Sequence, residues 1–293
     1  MLRVGLLLLL LAIGPAWAWD DPATVPQPRQ FSVFDGLPSN RINAIAEDAQ
    51  GYLWIGTRDG LARYDGVGFR IWRVGDGLRD NFVWSLHVDA QDRLWIGTRN
   101  AGLAMLDADR ASFRHFDLES HPEMGSNIVW MVASTPDGMV WVGTGDAGLV
   151  RIDAEGRLHR FVPEAGNPRS VPGLGITGLR VDGEGRLWVA TRDNGMAWWT
   201  GRDFERVAAP VAGRSVDLLT FDRAGKAWIS MPGEGFVMAP GGEFAPLPWR
   251  DPLAGAPALG MLLEDAQGAH WLDTRSGMAR EAGGRVQDVP LYS

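Results

Sequence analysis

Five loops of the sequence contain the residues best suited to hold a ligand, and most of them place arginine beside aspartate or asparagine. The candidate ligand-binding residues are Arg58, Asp59, Arg99, Asn100, Asp146, Arg192, Asp193, Asn194 and Arg275. Guanidinium groups bind carboxylate or sulfate groups through paired hydrogen bonds, and amide side chains bind hydroxyl groups. The loops therefore predict a site for a small-molecule or glycan ligand. The alternative is that each arginine forms an exposed salt bridge with a neighbouring aspartate, which contributes little energy.

These loops belong to a segment that occurs six times in the chain. Its most regular part is Gly-x-Leu-Trp-Ile-Gly-Thr, as in residues 51–57, and its tryptophans are Trp54, Trp95, Trp141, Trp188, Trp228 and Trp271. The tryptophans are 40 to 47 residues apart, which is the length of one β-propeller blade. We interpret them as the structural core between blades and not as an aromatic ligand cage.

Each copy of the segment predicts four short antiparallel strands. In the first copy these strands are residues 42–48, 52–57, 61–65 and 69–73, separated by polar or glycine-containing turns. An aspartate, or Thr135 in the third copy, stands six residues before each tryptophan, and we expect it to accept backbone N–H bonds in its own turn. The predicted fold class is all-β, a propeller of six four-stranded blades or an incomplete seven-bladed ring.

The closure of the ring has two possible forms. Residues 31–34 resemble the fourth strand of a blade and could complete the last blade, with residues 285–290 left loose. Otherwise a seventh blade is expected. If the first form holds, the four strands of the last blade come from both ends of the chain.

The start of the chain has the features of a secretory signal. Arg3, an apolar run and the triplet Ala16-Trp17-Ala18 predict cleavage after Ala18 and a periplasmic location. We expect a signal peptide at 1–18, a linker at 19–30 and the propeller at 31–293. The net charge of −8 disfavours nucleic acid as a partner. No later apolar run is long enough to span a membrane, so membrane attachment is expected only through a downstream segment not in this chain.

Two motifs resemble the two-component regulator propeller repeats. They are Asp-x-x-Gly-x-Leu-Trp-Ile-Gly-Thr-x-x-Gly-Leu, which runs from Asp48 to Leu61, and the lead-in Asp35-Gly-Leu-Pro-Ser-Asn40. The resemblance is strong over residues 31–200 and weak over residues 200–290. It implies the periplasmic sensor of a bacterial receptor whose histidine kinase or diguanylate cyclase lies elsewhere, and it makes a homodimer possible.

The sequence disfavours catalysis. It has no cysteine and no Gly-x-Ser-x-Gly or phosphate-binding motif, and its five histidines share no position in the repeat, so we expect no metal and no cofactor. The alternatives are a secreted propeller enzyme, such as a lyase, lactonase or glycan hydrolase, and a protein-binding scaffold. Trp198, Trp199 and Trp249 are the candidate contacts of the scaffold.

Overall fold

Short strands make up almost all of the regular structure. The computed structural model describes residues 30–247, 262–274, 277–282 and 285–289, and the 24 strands in these residues pair as six four-stranded antiparallel sheets. The sheets form a six-bladed β-propeller, so the predicted fold class is confirmed. Among the described residues, no helix has the length and apolar character needed to cross a membrane. The predicted signal peptide and most of the linker lie outside the described residues.

Each repeat of the sequence forms one blade, with strands in chain order from the hub to the rim. Blade 1 contains β1 (Ile42–Glu47), β2 (Leu53–Thr57), β3 (Gly60–Tyr64) and β4 (Phe69–Trp72). Blade 2 contains β5 (Val83–Val88), β6 (Leu94–Thr98), β7 (Leu103–Leu106) and β8 (Phe113–Phe116). Blade 3 contains β9 (Val129–Ser134), β10 (Val140–Thr144), β11 (Leu149–Ile152) and β12 (Leu158–Phe161).

The remaining three blades follow the same order. Blade 4 contains β13 (Ile176–Val181), β14 (Leu187–Thr191), β15 (Met196–Trp199) and β16 (Phe204–Arg206). Blade 5 contains β17 (Leu218–Phe221), β18 (Ala227–Met231), β19 (Glu234–Met238) and β20 (Phe244–Pro246). Blade 6 contains β21 (Leu262–Glu264), β22 (His270–Thr274), β23 (Gly277–Ala282) and β24 (Arg285–Val289).

The prediction that residues 31–34 form an outer strand is wrong. Val33–Asp35 forms a 3-10 turn, and blade 6 takes its fourth strand from Arg285–Val289, the segment predicted to be loose. The backbone N–H of Val33 donates to Asn40 Oδ1 at 2.8 Å. Val74 and Asn81 make the same bond at 2.9 Å after blade 1, where Val74–Asp76 is also a 3-10 turn. The similarity between the two segments therefore marks a repeated connection and not a repeated strand.

A side-chain hydrogen bond explains why aspartate stands six residues before tryptophan. Trp54 Nε1 donates to Asp48 Oδ2 at 2.7 Å, and the equivalent bond is 2.7 to 3.0 Å long in blades 2, 4, 5 and 6. In blade 3 the acceptor is Thr135 Oγ1, at 3.1 Å. Asp48 Oδ1 also accepts the backbone N–H groups of residues 50 and 52, which confirms the predicted role in the turn.

The tryptophans face the next blade along the chain. Five apolar clusters join blades 1 and 2, 2 and 3, 3 and 4, 4 and 5, and 5 and 6. Each cluster contains the tryptophan of the earlier blade together with residues from the second and third strands of the later one. The first five repeat tryptophans are at most 7% exposed, which confirms their predicted place in the core.

The contact between blade 6 and blade 1 differs from the other five. Trp271 is only partly buried, and on the facing side of blade 1 Ile42, Ile45 and Leu53 are 40%, 63% and 38% exposed. No apolar cluster of the described residues joins these two blades. Blade 1 thus has the side chains of an inter-blade face without the burial that the other blades show.

Candidate functional site

The predicted site residues lie on one face of the propeller, which we call the loop face. This face consists of the loops between the second and third strands of each blade and the connections from one blade to the next. The structure places eight of the nine candidates in the loops of blades 1 to 4, all of them exposed: Arg58, Asp59, Arg99, Asn100, Asp146, Arg192, Asp193 and Asn194. Arg275 lies outside the described residues.

A buried threonine fixes each of these four loops. Thr57 Oγ1 donates to the carbonyl oxygen of Gly60 at 2.8 Å and accepts the backbone N–H of Asp59 at 3.1 Å. The first of these bonds recurs at 2.8 Å in blades 2, 3 and 4. The threonine of the repeat therefore fixes the loop that follows it through the same kind of bond in all four blades.

Two of the predicted ligand-binding residues have partners within the protein. The carboxylate of Asp59 pairs with Arg73 at 3.1 Å, an arginine of the connection that follows blade 1. Asn100 donates through its backbone and side-chain N–H groups to Asp80 Oδ2, at 2.8 and 3.2 Å. These contacts hold loop and connection together.

Three arginines of the loop face stack on aromatic rings. The guanidinium carbons of Arg58 and Arg99 lie 5.5 and 5.2 Å from the centroid of the Phe82 ring, and that of Arg192 lies 4.2 Å from the Trp130 ring. None of the three forms an ion pair with a described residue. The alternative interpretation, in which each arginine pairs with the aspartate beside it, is therefore wrong for these positions.

The aromatic residues of this site were not among those predicted from the sequence. A β-bulge at the start of the innermost strand in blades 1 to 4 leaves one residue out of the pairing: Asn43, Trp84, Trp130 and Thr177. Bulges commonly redirect a side chain. The sequence signal was a large or polar residue directly after an Ile or Val, at one position of the repeat.

Glycine in the loop of blade 3 makes room for Trp130. Blades 1, 2 and 4 have arginine at the position that Gly145 occupies. A Cβ atom on Gly145 would lie only 3.0 Å from Cε2 of the Trp130 indole. The indole therefore fits against the backbone of Gly145 while Arg192 stacks on its ring.

Trp84 packs against the Phe82 ring, and its indole N–H makes no hydrogen bond with a described residue. Its ring centroid lies 4.9 Å from that of Phe82. Its Nε1 is buried and has no hydrogen-bond partner among the described residues. We call Arg58, Phe82, Trp84 and Arg99, together with Trp130 and Arg192, the arginine–aromatic cluster.

The opposite face, which we call the turn face, uses its carboxylates within the blades. Burial raises the pKa of the Asp89 carboxyl, but the hydrogen bonds from Trp95 and Arg93 together hold it below its usual range. Burial opposes the same kinds of bonds at Asp48 and Asp182, whose pKa values are also lowered. These aspartates stabilise turns and tryptophans, and their oxygens are occupied.

The aromatic residues proposed for a scaffold are mostly packing residues. Trp199 lies 5.3 Å from the Trp141 ring and 5.2 Å from the Phe161 ring, and it is only partly exposed. Trp198 is also partly buried, beside Arg186. Trp249 lies outside the described residues.

Comparison with protein families identifies the repeats of the first two blades. The family described as two component regulator propeller matches residues 36–59 and 77–100. Each match runs from a blade-to-blade connection through the second strand of blade 1 or blade 2 and into the loop after it. The suspected family resemblance of the repeats is confirmed.

Proteins that resemble this chain in sequence or in fold include signalling proteins and a lyase. Histidine kinase P4 of Formosa agariphila is 44% identical over 45 residues, which are 15% of this chain and 3% of that protein. The extracellular domain of a hybrid two-component system from B. thetaiotaomicron has a TM-score of 0.71 at 19% identity, over 86% of this chain and 35% of that one. Virginiamycin B lyase from Staphylococcus aureus has a TM-score of 0.67 at 14% identity, over 86% and 84%.

These comparisons differ in scope. The chain spans about a third of the B. thetaiotaomicron domain and a small fraction of the histidine kinase. At 19% and 14% identity, the two structural likenesses show the propeller fold alone.

Proposed function

Because its first two blades carry two-component regulator propeller repeats, we propose that this chain is the exported, ligand-sensing propeller of a bacterial signalling receptor. The sensing role belongs to the propeller, and the kinase or cyclase chemistry belongs to another part of the receptor. The extracellular domain with a similar fold supports an extracytoplasmic location, as does the signal predicted at residues 1–18.

The arginine–aromatic cluster is the observation that carries this proposal. It places three guanidinium groups without carboxylate partners over aromatic rings on one face. Guanidinium groups without ion-pair partners can give a ligand charge-assisted hydrogen bonds, and the neighbouring aromatic rings give it a surface for stacking. On the turn face, the repeat aspartates are already hydrogen-bonded within the blades.

The similarity to a propeller lyase does not favour catalysis. The described histidines have partners away from the cluster: His87 bonds to Ser134, His115 to the carbonyl oxygen of Gly77, and His270 to Glu281. The cluster can therefore bind a ligand, but it contains no histidine to act as a general base.

Thermal shift measurements on the whole chain test the proposal. A panel of organic acids, amino acids and oligosaccharides is screened, and we expect at least one compound to raise the melting temperature. The triple variant Arg58→Ala, Arg99→Ala, Arg192→Ala should lose that shift while its own melting temperature falls by no more than a few degrees. A matched variant of the turn face, Arg157→Ala with Arg186→Ala, should keep it. A shift that persists in the triple variant, or a panel without any shift, contradicts the proposal.

A further inference from the structure

Two arginines from neighbouring blades share one aromatic ring. Arg58 follows the second strand of blade 1, Arg99 follows that of blade 2, and Phe82 lies in the connection between these blades. The guanidinium carbons of Arg58 and Arg99 lie 5.5 and 5.2 Å from the centroid of the Phe82 ring. The distance between these two carbons is therefore at most about 11 Å. The Debye length is about 8 Å at physiological ionic strength, so salt partly screens the repulsion between the two charges in the free protein, and the repulsion is stronger at low salt.

The nearby carboxylates do not form ion pairs with Arg58 and Arg99. Asp59 is held by Arg73, and Asp80 accepts from the N–H groups of Phe82 and Asn100. Each of these acidic groups has other donors within 3.2 Å, and neither lies within 4.0 Å of Arg58 or Arg99. Neither arginine is therefore ion-paired with these carboxylates, so both guanidinium groups are available to an anionic ligand.

The ring that lies between the arginines continues into a second aromatic surface. Trp84 follows Phe82 by two residues, and the bulge at this point leaves it outside the strand pairing. The two rings lie 4.9 Å apart at an angle of 49°. Flat ligand groups can stack on such rings.

We propose that Arg58 and Arg99 clamp an oxyanion of the ligand, a carboxylate or sulfonate-type group, while the flat part of that ligand stacks on Phe82 and Trp84. This assignment rests on the proposed sensing function and narrows it to a class of anionic, flat ligands. Anion binding removes the repulsion between the two guanidinium groups and gives each a charge-assisted hydrogen bond. A neutral ligand of the same shape gains neither effect.

Ligand-observed NMR with simple aromatic probes tests the clamp on the whole chain. Benzoate and benzenesulfonate distinguish the two kinds of oxyanion, benzamide is the neutral probe of similar shape, and acetate is the anion without a ring. We expect benzoate, benzenesulfonate or both to bind at least about tenfold more tightly than benzamide and acetate. Added salt should weaken the binding, because the attraction is electrostatic.

Variants assign the binding to the two arginines. The double variant Arg58→Gln, Arg99→Gln should lower the affinity for the anionic probe at least about tenfold. Its control is Arg70→Gln with Arg114→Gln, since these exposed arginines also stack on rings, 4.6 Å from Trp72 and 4.9 Å from Phe116, but belong to outer strands. The control should bind the probe as the unchanged protein does.

Failure of the clamp can be separated from failure of the sensing function. Equal binding of benzamide and benzoate, or unchanged binding in the Arg58→Gln, Arg99→Gln variant, overturns the clamp. If a neutral compound of the panel still loses its thermal shift in a Trp84→Ala, Trp130→Ala variant, the loop face binds ligands and only the anionic class is wrong.

Discussion

The apolar face of blade 1 and the equivalent face of blade 4 have nearly the same residues but very different surroundings. Ile42 and Ile176 both open the innermost strand, yet Ile42 is 40% exposed and Ile176 is fully buried. Leu53 and Leu187 both precede the repeat tryptophan, and their exposed fractions are 38% and 0%. Repetition thus supplies the same face six times, whereas the position of a blade in the ring decides whether that face is covered.

The same difference appears between Trp54 and Trp271. Both donate to the aspartate six residues earlier, at 2.7 and 2.9 Å, but Trp54 is fully buried and Trp271 is not. Both tryptophans make this hydrogen bond. A comparison of the two therefore isolates the contribution that packing between blades makes to stability.

The largest expected effect is at the tryptophans. Trp54→Ala should lower the free energy of unfolding by about 3 to 5 kcal/mol, because it removes a fully buried side chain. Trp271→Ala should cost about half of that or less, since part of its surface is already in water. Urea unfolding followed by circular dichroism measures both. Equal losses would show that blade 6 packs as tightly as the others.

A smaller effect is expected when Ile42 and Ile176 are each replaced by alanine, which makes the same chemical change at an exposed and at a buried position. Ile176→Ala should cost about 2 to 5 kcal/mol, and Ile42→Ala about 1 kcal/mol, because only Ile176 leaves a cavity in a covered interface. The same unfolding measurement applies. If the two variants are equally destabilised, the face of blade 1 is covered in solution.

Acid should distinguish blade 2 from blade 3. The lowered pKa of Asp89 means that the unfolded chain binds its proton more readily than the folded chain. The ionised Asp89 carboxylate therefore stabilises the folded protein fully above the ordinary carboxyl pKa of 3.8. This stabilisation is lost as the pH falls below that value.

The variant Asp89→Asn should accordingly show a shallower loss of stability with acidification than the unchanged protein. The control is Thr144→Val in blade 3, because the Thr144 hydroxyl bonds to backbone groups, the carbonyl oxygen of Gly148 and the N–H of Ala147, and not to a titrating side chain. It should change stability at neutral pH but not the slope of stability against pH. Parallel acid profiles for Asp89→Asn and the unchanged protein would contradict this account.

The smallest effect on stability is expected in the arginine–aromatic cluster. Arg58→Gln with Arg99→Gln should change the free energy of unfolding by less than about 1 kcal/mol, since both side chains are exposed and neither forms an ion pair with a described residue. Thermal unfolding checks this. A larger loss would mean that the stacking of these arginines on Phe82 holds the connection between blades 1 and 2.

Much of the fold could be predicted because its determinants are local in the sequence. The strand and turn pattern of one repeat, the tryptophan of the second strand and the aspartate of the turn all depend on residues within about one blade. The same pattern placed the candidate loops on one face, as the structure shows for blades 1 to 4. Residues 31–34 were the exception, because a 3-10 turn held by Asn40 has the same apolar spacing as a short strand.

The amino-acid sequence by itself determined the six repeats, the composition of each blade and the face that carries the variable loops, and the structure decided between six and seven blades. Only the tertiary structure decided that Asp59 pairs with Arg73 and leaves Arg58 on Phe82, that Trp84 leaves its strand at a bulge, and that Ile45 stays exposed. Repeats specify contacts within a blade through short-range spacing. Contacts between blades depend on which neighbour is present, and a repeating sequence is nearly the same at every position.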